Sequence, residues 1–559
     1  MRTKIENQWS CDFETTTDPA DARVWAWVAI NIADTEKRFY GNSIESFIEW
    51  CSTRSKTLYF HNLKFDGSYI IDHLLRTDWT VSETLKGMEE HQFNTLISDK
   101  GFFYTMQLKF HKSNVRIIDS LKIINSSVDR IAKGWKLPVS KLSIDYHEYR
   151  APGHVLTKEE KDYITNDALI VAIALKSILD QGFTKITAGS NAFNYYVENC
   201  CGGKSNFRKV FPVPENDAYI RKSYRGGFSF ANPRFTNKLL GEGRVYDVNS
   251  LYPAALHSPN VYPYGEPVYY SGEYQTNEEY QLFVCHIIAD FHLKKNHLPM
   301  LQLKHNPSYI PTQYITETKG AVDLYLTSID YRLFLDQYDI DYLQFIDGYM
   351  YKGRAGMFDS YIDHWYQVKA DSKHEGNMAM YQLAKLMLNS FYGKLATNPE
   401  VCSRWPYLDK DKNIVCYRPG EYERKEPVYI AAGTFCTAYA RNITIRAAQS
   451  CYDRFLYADT DSLHVLGDFD VPGLPVDDYK LGYFKHESTF TEAKYIRAKL
   501  YMEKIEGKWD VKGAGMTPEI KKQVTPENFH VDTVYTGKLK QKTVPGGIVL
   551  LETTHHIRD

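Results

Sequence analysis

Two aspartates one residue apart, Asp459 and Asp461 in the stretch YADTDS, place two like charges where they repel each other. The flanking runs RFLY and LHVL are typical of the two strands of a β-hairpin, which leaves both aspartates beside its tight turn and pointing together. Two carboxylates held this close are stabilised by a divalent cation between them. The hexapeptide therefore predicts a metal site, and a solvated turn is the alternative interpretation of the hexapeptide alone.

A third carboxylate, Asp247, lies at the polar break of the strand-like run GRVYDVNSLYP. We expect it to join Asp459 and Asp461 as the third ligand of the same site, because carboxylate oxygens are the ligands that hard divalent cations prefer.

A second acidic cluster is predicted near the N-terminus. In the strand-like run SCDFETTT, Asp12 and Glu14 are two residues apart, so the period of a strand turns both carboxylates to one face. Further acids are Asp66 in HNLKFDG and Asp167, which shares a helix face with Tyr163. Such ligands suit a pair of Mg²⁺ ions that activate a water and stabilise the leaving oxygen of a phosphodiester, with the tyrosine orienting the water. Each of these short motifs, taken alone, also fits a solvated strand edge or turn.

The helical run QLAKLMLNSFYGK, residues 382–394, carries a polar stripe. Lys385, Asn389 and Tyr392 fall at i, i+4 and i+7 on one face, while mostly apolar residues lie on another. The lysine suits triphosphate oxygens and the tyrosine a nascent base pair, and Gly393 is predicted to end the helix as its C-cap. The alternative is an amphipathic core helix whose lysine is merely solvated.

Composition and charge leave the class of partner open. The chain has 559 residues, of which 43% are apolar and 24% charged, an ordinary globular composition with room for roughly two to four domains. A net charge of −2 decides nothing, because a protein that binds a polyanion needs only a local basic track. The N-terminus has no apolar signal segment and the chain has no apolar run that could span a bilayer, so we expect a cytoplasmic protein that is not secreted. Nine cysteines without a CxxC motif predict neither a disulfide scaffold nor a cysteine metal site.

The elements that must position the N-terminal acids are strands alternating with helices. WSCDFETT, VWAWVAINI and TLYFHNL are strand-like, and SIESFIEW is helical. A capping box of Thr157 and Glu160 opens an amphipathic helix over residues 157–180. The segment TAGSNAF, residues 187–193, is a predicted domain junction because Gly and Ser interrupt the periodicity after that helix.

In their order along the chain, these motifs closely resemble those of the family B DNA polymerases. CDFETTT, HNLKFDG and YITND are similar to the three exonuclease motifs of that family, and DVNSLYP, KLMLNSFYGK and YADTDS to its polymerase motifs A, B and C. YRGG, TAYAR and KLY are similar to strings of the protein-primed branch found in small tailed phages of the phi29 type. Six ordered motifs across nearly the whole chain are far more specific than any one of them.

The resemblance implies a role for each matching residue. The implied exonuclease residues are Asp12, Glu14, Asp66 and Asp167 as metal ligands, with Tyr163 and Lys141 assisting hydrolysis. The implied polymerase residues are Asp247, Val248 and Asp459 as metal ligands, with Asp461 near them and catalytically required. The implied nucleotide-binding residues are Tyr252, Lys369, Lys385 and Tyr392. The ring of Tyr252 would clash with a 2′-hydroxyl and so favour deoxynucleotides. The implied DNA-binding residues are Thr15, Asn62, Phe65, Tyr224, Arg225, Gly226, Gly227, Thr437, Arg441, Lys499 and Tyr501.

The implied fold is a multidomain chain of mixed α/β and α+β class. An RNase H-like (DnaQ-like) 3′–5′ exonuclease domain would occupy residues 1–187, and a right-hand polymerase domain residues 188–559. Within the latter, the resemblance implies a palm (188–260 and 425–530), a first insertion (261–358), fingers (359–394), a second insertion (395–424) and a thumb (531–559). Three thumb lysines, Lys538, Lys540 and Lys542, alternate along a strand, where they either face phosphates or protect a solvated edge.

The implied activity is phosphoryl transfer assisted by two Mg²⁺ ions per site, with Mn²⁺ able to substitute. The acceptor would be the 3′-hydroxyl of a DNA template–primer, or first a hydroxyl of a terminal protein, and the donor a dNTP. We expect strand-displacing replication of a linear viral genome, proofreading, and a monomer that acts in the host cytoplasm. Two alternatives stay open: a family B polymerase that uses ordinary nucleic-acid primers, and a catalytically idle DNA-binding scaffold.

Overall fold

In the computed structural model, which describes residues 5–140, 142, 144, 145, 148–304 and 306–558, the N-terminal region is one mixed eight-stranded sheet between helices. Its strands are β1 (Gln8–Thr15), β2 (Val24–Asn31), β3 (Arg38–Gly41), β4 (Lys56–Phe60), β5 (Thr80–Val81), β6 (Gln92–Ile97), β7 (Phe103–Lys109) and β8 (Asn114–Asp119). Its helices are α1 (Ile44–Ser52), α2 (Leu63–Arg76), α3 (Val128–Gly134) and α4 (Lys158–Leu179), with 3₁₀ turns at Ile5–Asn7 and Ser120–Lys122.

The sheet is buried on both faces in its centre, which explains the continuous apolar run VWAWVAIN. All eight residues of β2 are buried: Val28 and Ile30 face α4, while Trp27 and Ala29 face α1 and α2. The strand order is β3-β2-β1-β4-β8-β7-β6-β5, and β1 pairs antiparallel with β2 and parallel with β4. The predicted strands, the short helix and the Thr157 capping box of α4 are all present.

The predicted junction at residues 187–193 is not an irregular segment. Thr187 caps a helix, α5 (Ala188–Tyr195), by accepting a hydrogen bond from the Ser190 amide. A Cβ atom on Gly189 would lie 3.1 Å from the main-chain oxygen of Ser390, so the glycine lets this helix approach a later one closely. The Gly-Ser pair therefore serves helix packing within the first turn of α5.

Among the described residues, the rest of the chain forms five further sheets, two of which are two-stranded hairpins. Up to the middle of the chain the helices are α6 (Lys204–Val210), α7 (Asp217–Arg221), α8 (Leu251–Leu256) and α9 (Ser328–Gln337), with a π-helical turn at Tyr196–Cys200. The strands of the same part are β9 (Ser229–Ala231), β10 (Leu239–Leu240), β11 (Gly243–Val248), β12 (Val261–Ser271), β13 (Leu282–Leu293), β14 (Val322–Thr327) and β15 (Tyr338–Ala355). The later helices are α10 (Asp359–His374), α11 (Met378–Leu395), α12 (Ile430–Ser450) and α13 (Pro518–Gln523). The later strands are β16 (Glu400–Asp409), β17 (Ile414–Arg424), β18 (Phe455–Asp459), β19 (Ser462–Leu466), β20 (Phe484–Phe490), β21 (Ala493–Arg497), β22 (Leu500–Ile505), β23 (Lys508–Gly513), β24 (Val534–Val544) and β25 (Gly547–His556).

The catalytic strands predicted from the sequence meet in a five-stranded antiparallel sheet of order β20-β11-β19-β18-β9, here called the palm sheet. A four-stranded sheet, β10-β21-β22-β23, packs against it through Tyr457, Tyr495 and their neighbours. Residues 261–355 fold into the antiparallel sheet β12-β15-β13-β14, and residues 400–424 form the hairpin β16–β17. The C-terminal strands β24 and β25 form a last hairpin.

Gly393 does not end its helix, contrary to the sequence prediction. Helix α11 continues through Lys394 to Leu395, and Ala396 is the C-cap residue. The glycine keeps a negative φ, and the burial of Leu395 stabilises one more half-turn than the glycine signal suggested. In the part of the chain that the structure describes, no helix is both long enough and apolar enough to cross a membrane.

Candidate active sites

A tight hairpin carries Asp459 and Asp461, as predicted. Strands β18 and β19 pair with Asp459 opposite Ser462, so Thr460 and Asp461 alone connect them. Thr460 has a φ of 64°, in the left-handed region, and its amide donates a hydrogen bond of 2.6 Å to the main-chain oxygen of Phe228. This contact helps to hold a turn that a β-branched residue does not favour by itself.

Asp247 joins this hairpin through the register of the palm sheet. On β11 it lies opposite Ser462, which is itself opposite Asp459, so two carboxylates flank one serine across three adjacent strands. The Val248 amide donates to the main-chain oxygen of Asp461 at 2.9 Å and ties the end of β11 to the turn. The Val248 side chain is buried, so a contact with a metal would have to come from its main chain.

Burial and the mutual repulsion of the carboxylates dominate the electrostatics of this cluster. Burial, followed by the negative charges of Asp461 and Glu487, raises the pKa of Asp247 to about 7, although two lysines oppose the shift. Burial also raises the pKa of Asp461, and the charge of Asp459 adds to the effect. A divalent cation would relieve this repulsion.

The donor set fits Mg²⁺ bound jointly by protein and substrate. Among residues 5–140, 142, 144, 145, 148–304 and 306–558, no three His, Cys, Asp or Glu side chains form a ready-made metal cage. Mg²⁺ is usually held by one or two carboxylates together with substrate phosphates and water. Asp247 and Asp459 supply such carboxylates at the edge of the sheet.

An aromatic platform and two lysines lie beside the carboxylates. The rings of Tyr252 on α8 and Tyr392 on α11 stack with centroids 3.8 Å apart and planes inclined by 17°. Lys369 on α10 donates to Ser250 Oγ at 3.2 Å. Burial lowers the pKa of Lys369, and the neighbouring charge of Lys385 lowers it further. The two lysines are therefore close enough for their positive charges to interact beside the carboxylates.

The segment YRGG crosses the hairpin turn at close range. A Cβ atom on Gly227 would lie 2.8 Å from Thr460 Oγ1 and 3.0 Å from the Tyr252 hydroxyl, so any larger residue would force these side chains to move. Tyr224 and Arg225 line a neighbouring cavity of about 550 Å³, whose other lining residues include Lys222, Lys304 and Tyr325. Gly226 is exposed.

Two of the predicted DNA-binding residues have side chains that lie in the interior of the protein. Thr437 and Arg441 on α12 are 1% and 2% exposed. Arg441 forms a bidentate ion pair with buried Asp330, and its Nη1 atom donates to the main-chain oxygens of Arg225 and Gly226. The arginine therefore positions the YRGG segment from beneath, because its charge is already satisfied by a buried partner.

The KLY segment reaches the palm hairpin from the adjoining sheet. Lys499 has a φ of 61° in the turn between β21 and β22, and its amide donates to the Tyr457 hydroxyl at 3.0 Å. Its Nζ atom lies 3.7 Å from Asp459 Oδ1. The Tyr501 ring lies 4.8 Å from that of Tyr457, so both predicted primer contacts are placed beside the polymerase carboxylates.

The N-terminal acids converge on a separate cavity of about 280 Å³. Its walls include Asp12 and Glu14 from β1, Asp66 from α2, and Tyr163 and Asp167 from one face of α4. The period-2 argument is confirmed, since both β1 carboxylates face this cavity. Oxygen ligands gathered from three elements fit hard divalent cations.

The first turn of α2 is fastened to β1 by the Asp66 carboxylate itself. Asp66 Oδ1 accepts a hydrogen bond of 3.2 Å from the Phe13 amide. Burial raises the pKa of Asp66 well above its usual value, and the charge of Asp12 adds to the effect. The carboxylates of Asp12 and Asp66 therefore lie close enough in this cavity for their charges to repel each other.

The other residues predicted for this region differ in whether they line the cavity. Asn62 and Phe65 line the cavity, with Asn62 at a φ of 76° as it caps α2. Thr15 ends β1 and is not among the residues of the cavity wall. Lys141 lies outside the described residues. His61 and Gln541 also line the cavity and were not predicted from the sequence; His61 belongs to the motif HNLKFDG, whereas Gln541 carries no local signal.

Comparison with known proteins gives one consistent result. The chain matches the family model described as DNA polymerase type B, organellar and viral, over residues 50–153 and 143–467. It is 42% identical to the DNA polymerase of Bacillus phage phi29, with 100% of both chains covered. It is 34% identical to the DNA polymerase of Streptococcus phage Cp-1, with 98% of both covered.

Solved structures agree with the sequence relatives. Phi29 DNA polymerase complexed with primer–template DNA matches with a TM-score of 0.93 at 41% identity, covering 99% of this chain and 100% of that chain. The complex of the same enzyme with primer–template DNA and incoming nucleotide substrates matches with a TM-score of 0.91 at 42% identity, with the same coverage. Together with the two carboxylate sites, these matches show that this chain belongs to the type B DNA polymerases.

Proposed function

We propose that this chain replicates a linear viral genome by protein-primed initiation and strand-displacing extension, and that it removes mispaired 3′ ends in the 3′ to 5′ direction. The observation that carries the proposal is the presence of two separate carboxylate clusters in one chain. One is formed by Asp247, Asp459 and Asp461 beside the tyrosine stack, and the other by Asp12, Glu14, Asp66 and Asp167 in the N-terminal cavity.

At the palm site, Asp247 and Asp459 would hold two Mg²⁺ ions, with Asp461 beside them. When bound, such ions lower the pKa of an attacking hydroxyl and neutralise charge that develops on the phosphate. Lys369 and Lys385 attract and orient the triphosphate of a dNTP. The stacked ring of Tyr252 lies under the incoming sugar and disfavours a ribose because of the extra 2′-hydroxyl.

In the N-terminal cavity, the acids would hold a second pair of Mg²⁺ ions for hydrolysis of the last phosphodiester. Tyr163, one helical turn from Asp167, orients the attacking water. Phe65 and Asn62 lie on the cavity wall, where an unpaired 3′ nucleotide can stack and hydrogen-bond. A mispaired end frays more readily than a matched one, so it reaches this cavity more often.

Separate variants test the two sites. Asp459→Ala should abolish extension of a primer annealed to a template while leaving degradation of single-stranded DNA in place. The double substitution Asp12→Ala and Asp66→Ala should do the reverse. Loss of both activities in either variant contradicts two independent metal sites, provided that circular dichroism shows both variants folded.

The rival function is extension of ordinary nucleic-acid primers without protein priming. The sheet of residues 261–355 supports protein priming, since it is inserted between Asp247 and α11 and carries exposed aromatic side chains, Tyr269 and Tyr342, that a protein partner could cover. The test mixes the purified chain with a candidate terminal protein, radiolabelled dATP and Mg²⁺. A covalent protein–dAMP adduct supports priming, with Asp459→Ala as the matched inactive control; primer extension without any adduct supports the rival.

The proposed partners follow from the site and from its relatives. The phi29 enzyme has been solved with primer–template DNA and incoming nucleotides, and we extend both ligands to this chain. We further propose a monomer that acts in the host cytoplasm. Extension reactions in which Mg²⁺ or Mn²⁺ is the sole divalent cation test the metal: both should support synthesis, whereas full activity in EDTA contradicts a metal-assisted reaction.

A further inference from the structure

A buried polar contact joins the catalytic hairpin of the palm sheet to the neighbouring hairpin β21–β22. Glu503 on β22 is 4% exposed, yet its Oε1 atom accepts two hydrogen bonds. One comes from the Tyr495 hydroxyl at 2.5 Å and the other from His464 Nδ1 at 2.6 Å. Since a buried carboxylate is costly unless it is hydrogen-bonded, this contact strongly favours one arrangement of the two hairpins.

The two donors belong to different sheets. Tyr495 lies on β21, the strand next to Glu503, whereas His464 lies on β19, the second strand of the catalytic hairpin. His464 is 2% exposed and pairs across the hairpin with Tyr457. Glu503 is therefore a link between the sheets and not only within one of them.

An aromatic cluster surrounds the link and extends it to the KLY turn. The rings of Tyr457 and His464 lie 5.0 Å apart, and both contact the Tyr501 ring, at 4.8 and 5.3 Å. The Tyr457 hydroxyl accepts the hydrogen bond from the Lys499 amide. Tyr457 is two residues from Asp459, so by strand period both side chains face the KLY turn.

We propose that Glu503 and His464 are positioning residues that set the distance between the KLY turn and the catalytic hairpin. Neither residue contacts the reacting atoms. The pair acts through Lys499, whose Nζ lies 3.7 Å from the Asp459 carboxylate, and through Tyr501. This inference rests on the proposed function, in which Lys499 and Tyr501 hold the primer terminus.

Replacement of the acceptor should loosen the primer terminus without changing the N-terminal cavity. In Glu503→Leu, the Tyr495 hydroxyl and His464 Nδ1 lose their shared acceptor and keep only each other, 3.2 Å apart, so the β21–β22 hairpin can shift relative to Asp459. Misplacement of a substrate by about 1 Å can cost on the order of 100-fold in rate, so we expect the KM for primer–template to rise roughly tenfold or more. The KM for dNTP should change little, and a matched primer should be degraded faster relative to its extension.

Two further variants separate positioning from folding. Glu503→Gln keeps an Oε1 acceptor for both donors and should restore primer–template KM to within about twofold of the unmodified chain. Tyr495→Phe keeps the ring but removes one donor and should have an intermediate effect. Glu492→Gln is the matched control, because Glu492 immediately precedes β21 and forms a partly exposed ion pair with Lys504.

The experiment measures steady-state extension of a primer–template, its KM for DNA and for dNTP, and degradation of single-stranded DNA, for all four variants of the full chain. A raised DNA KM in Glu503→Leu, recovery in Glu503→Gln and unchanged single-strand degradation support the inference. Equal loss of both activities, or a DNA KM of Glu503→Leu that matches Glu492→Gln, overturns it. Failure of the unmodified chain to extend the primer would instead refute the proposed function.

Discussion

Asp247→Asn should make the protein more stable in the absence of divalent cations while abolishing DNA synthesis. The carboxylate of Asp247 lies in a partly buried site beside Asp461, and its pKa is raised to about 7. An exposed aspartate loses its proton near pH 4. Between these values the folded state holds a proton that the unfolded state has released, so stability falls as the pH rises from about 4 to 7.

The size of this effect follows from the shift. A change from 3.8 to about 7 corresponds to an upper limit of roughly 4 kcal/mol at 1.36 kcal/mol per unit. Solvent at the edge of the sheet screens part of the repulsion, so we expect about 1–3 kcal/mol. An asparagine carries no charge at any pH and avoids this cost. For a domain of several hundred residues, the melting temperature at pH 8 should then rise by roughly 1–4 °C.

The assay is thermal unfolding at pH 8 and pH 5 in EDTA, followed by titration with Mg²⁺. The melting temperature of the variant should exceed that of the unmodified protein at pH 8, and the difference should shrink at pH 5. Mg²⁺ should raise the melting temperature of the unmodified protein more than that of the variant. Asp478→Asn, at an exposed position, is the control. A variant that is no more stable at pH 8, or equally stabilised by Mg²⁺, refutes a charge-strained metal site.

Three further perturbations have defined outcomes. Tyr252→Val removes the stacked ring and should raise ribonucleotide relative to deoxyribonucleotide incorporation by roughly tenfold or more, as measured by single-nucleotide extension gels. Gly227→Ala places a methyl group 2.8 Å from Thr460 Oγ1, which should cost about 1–3 kcal/mol in unfolding experiments and lower extension more than degradation. Burial raises the pKa of Glu160, but hydrogen bonds from Arg150 and its neighbours bring it down to about 2; its stabilisation is present above pH 4.5 and lost as the pH falls toward 2. Glu160→Gln should therefore flatten the decline of the melting temperature over that interval.

Specific results contradict each of these three. Unchanged sugar selectivity in Tyr252→Val would show that the ring does not exclude ribonucleotides sterically. Normal extension by Gly227→Ala would mean that the turn at Thr460 moves without consequence. An identical acid profile for Glu160→Gln would assign the low-pH instability to other groups.

The spacing of nearby residues was enough to predict several local features of this protein from its sequence alone. The faces of a strand and of a helix follow from periods of 2 and 3.6 residues, so the pairing of Asp12 with Glu14 and of Tyr163 with Asp167 needed no structure. The YADTDS hairpin and the Thr157 capping box are equally local. The order of six motifs then indicated the family, which the comparisons confirm.

Tertiary structure decided what depends on segments far apart in the chain. The interior position of Arg441 follows from its pairing with Asp330, 111 residues away, and no local pattern distinguishes it from a surface arginine. Gln541 lines the N-terminal cavity because the C-terminal hairpin of β24 and β25 packs against the N-terminal region. Glu503 resembles any strand carboxylate until a second sheet brings His464 against it. Periodicity specifies which face a side chain occupies, but only the packing of distant elements specifies what that face meets.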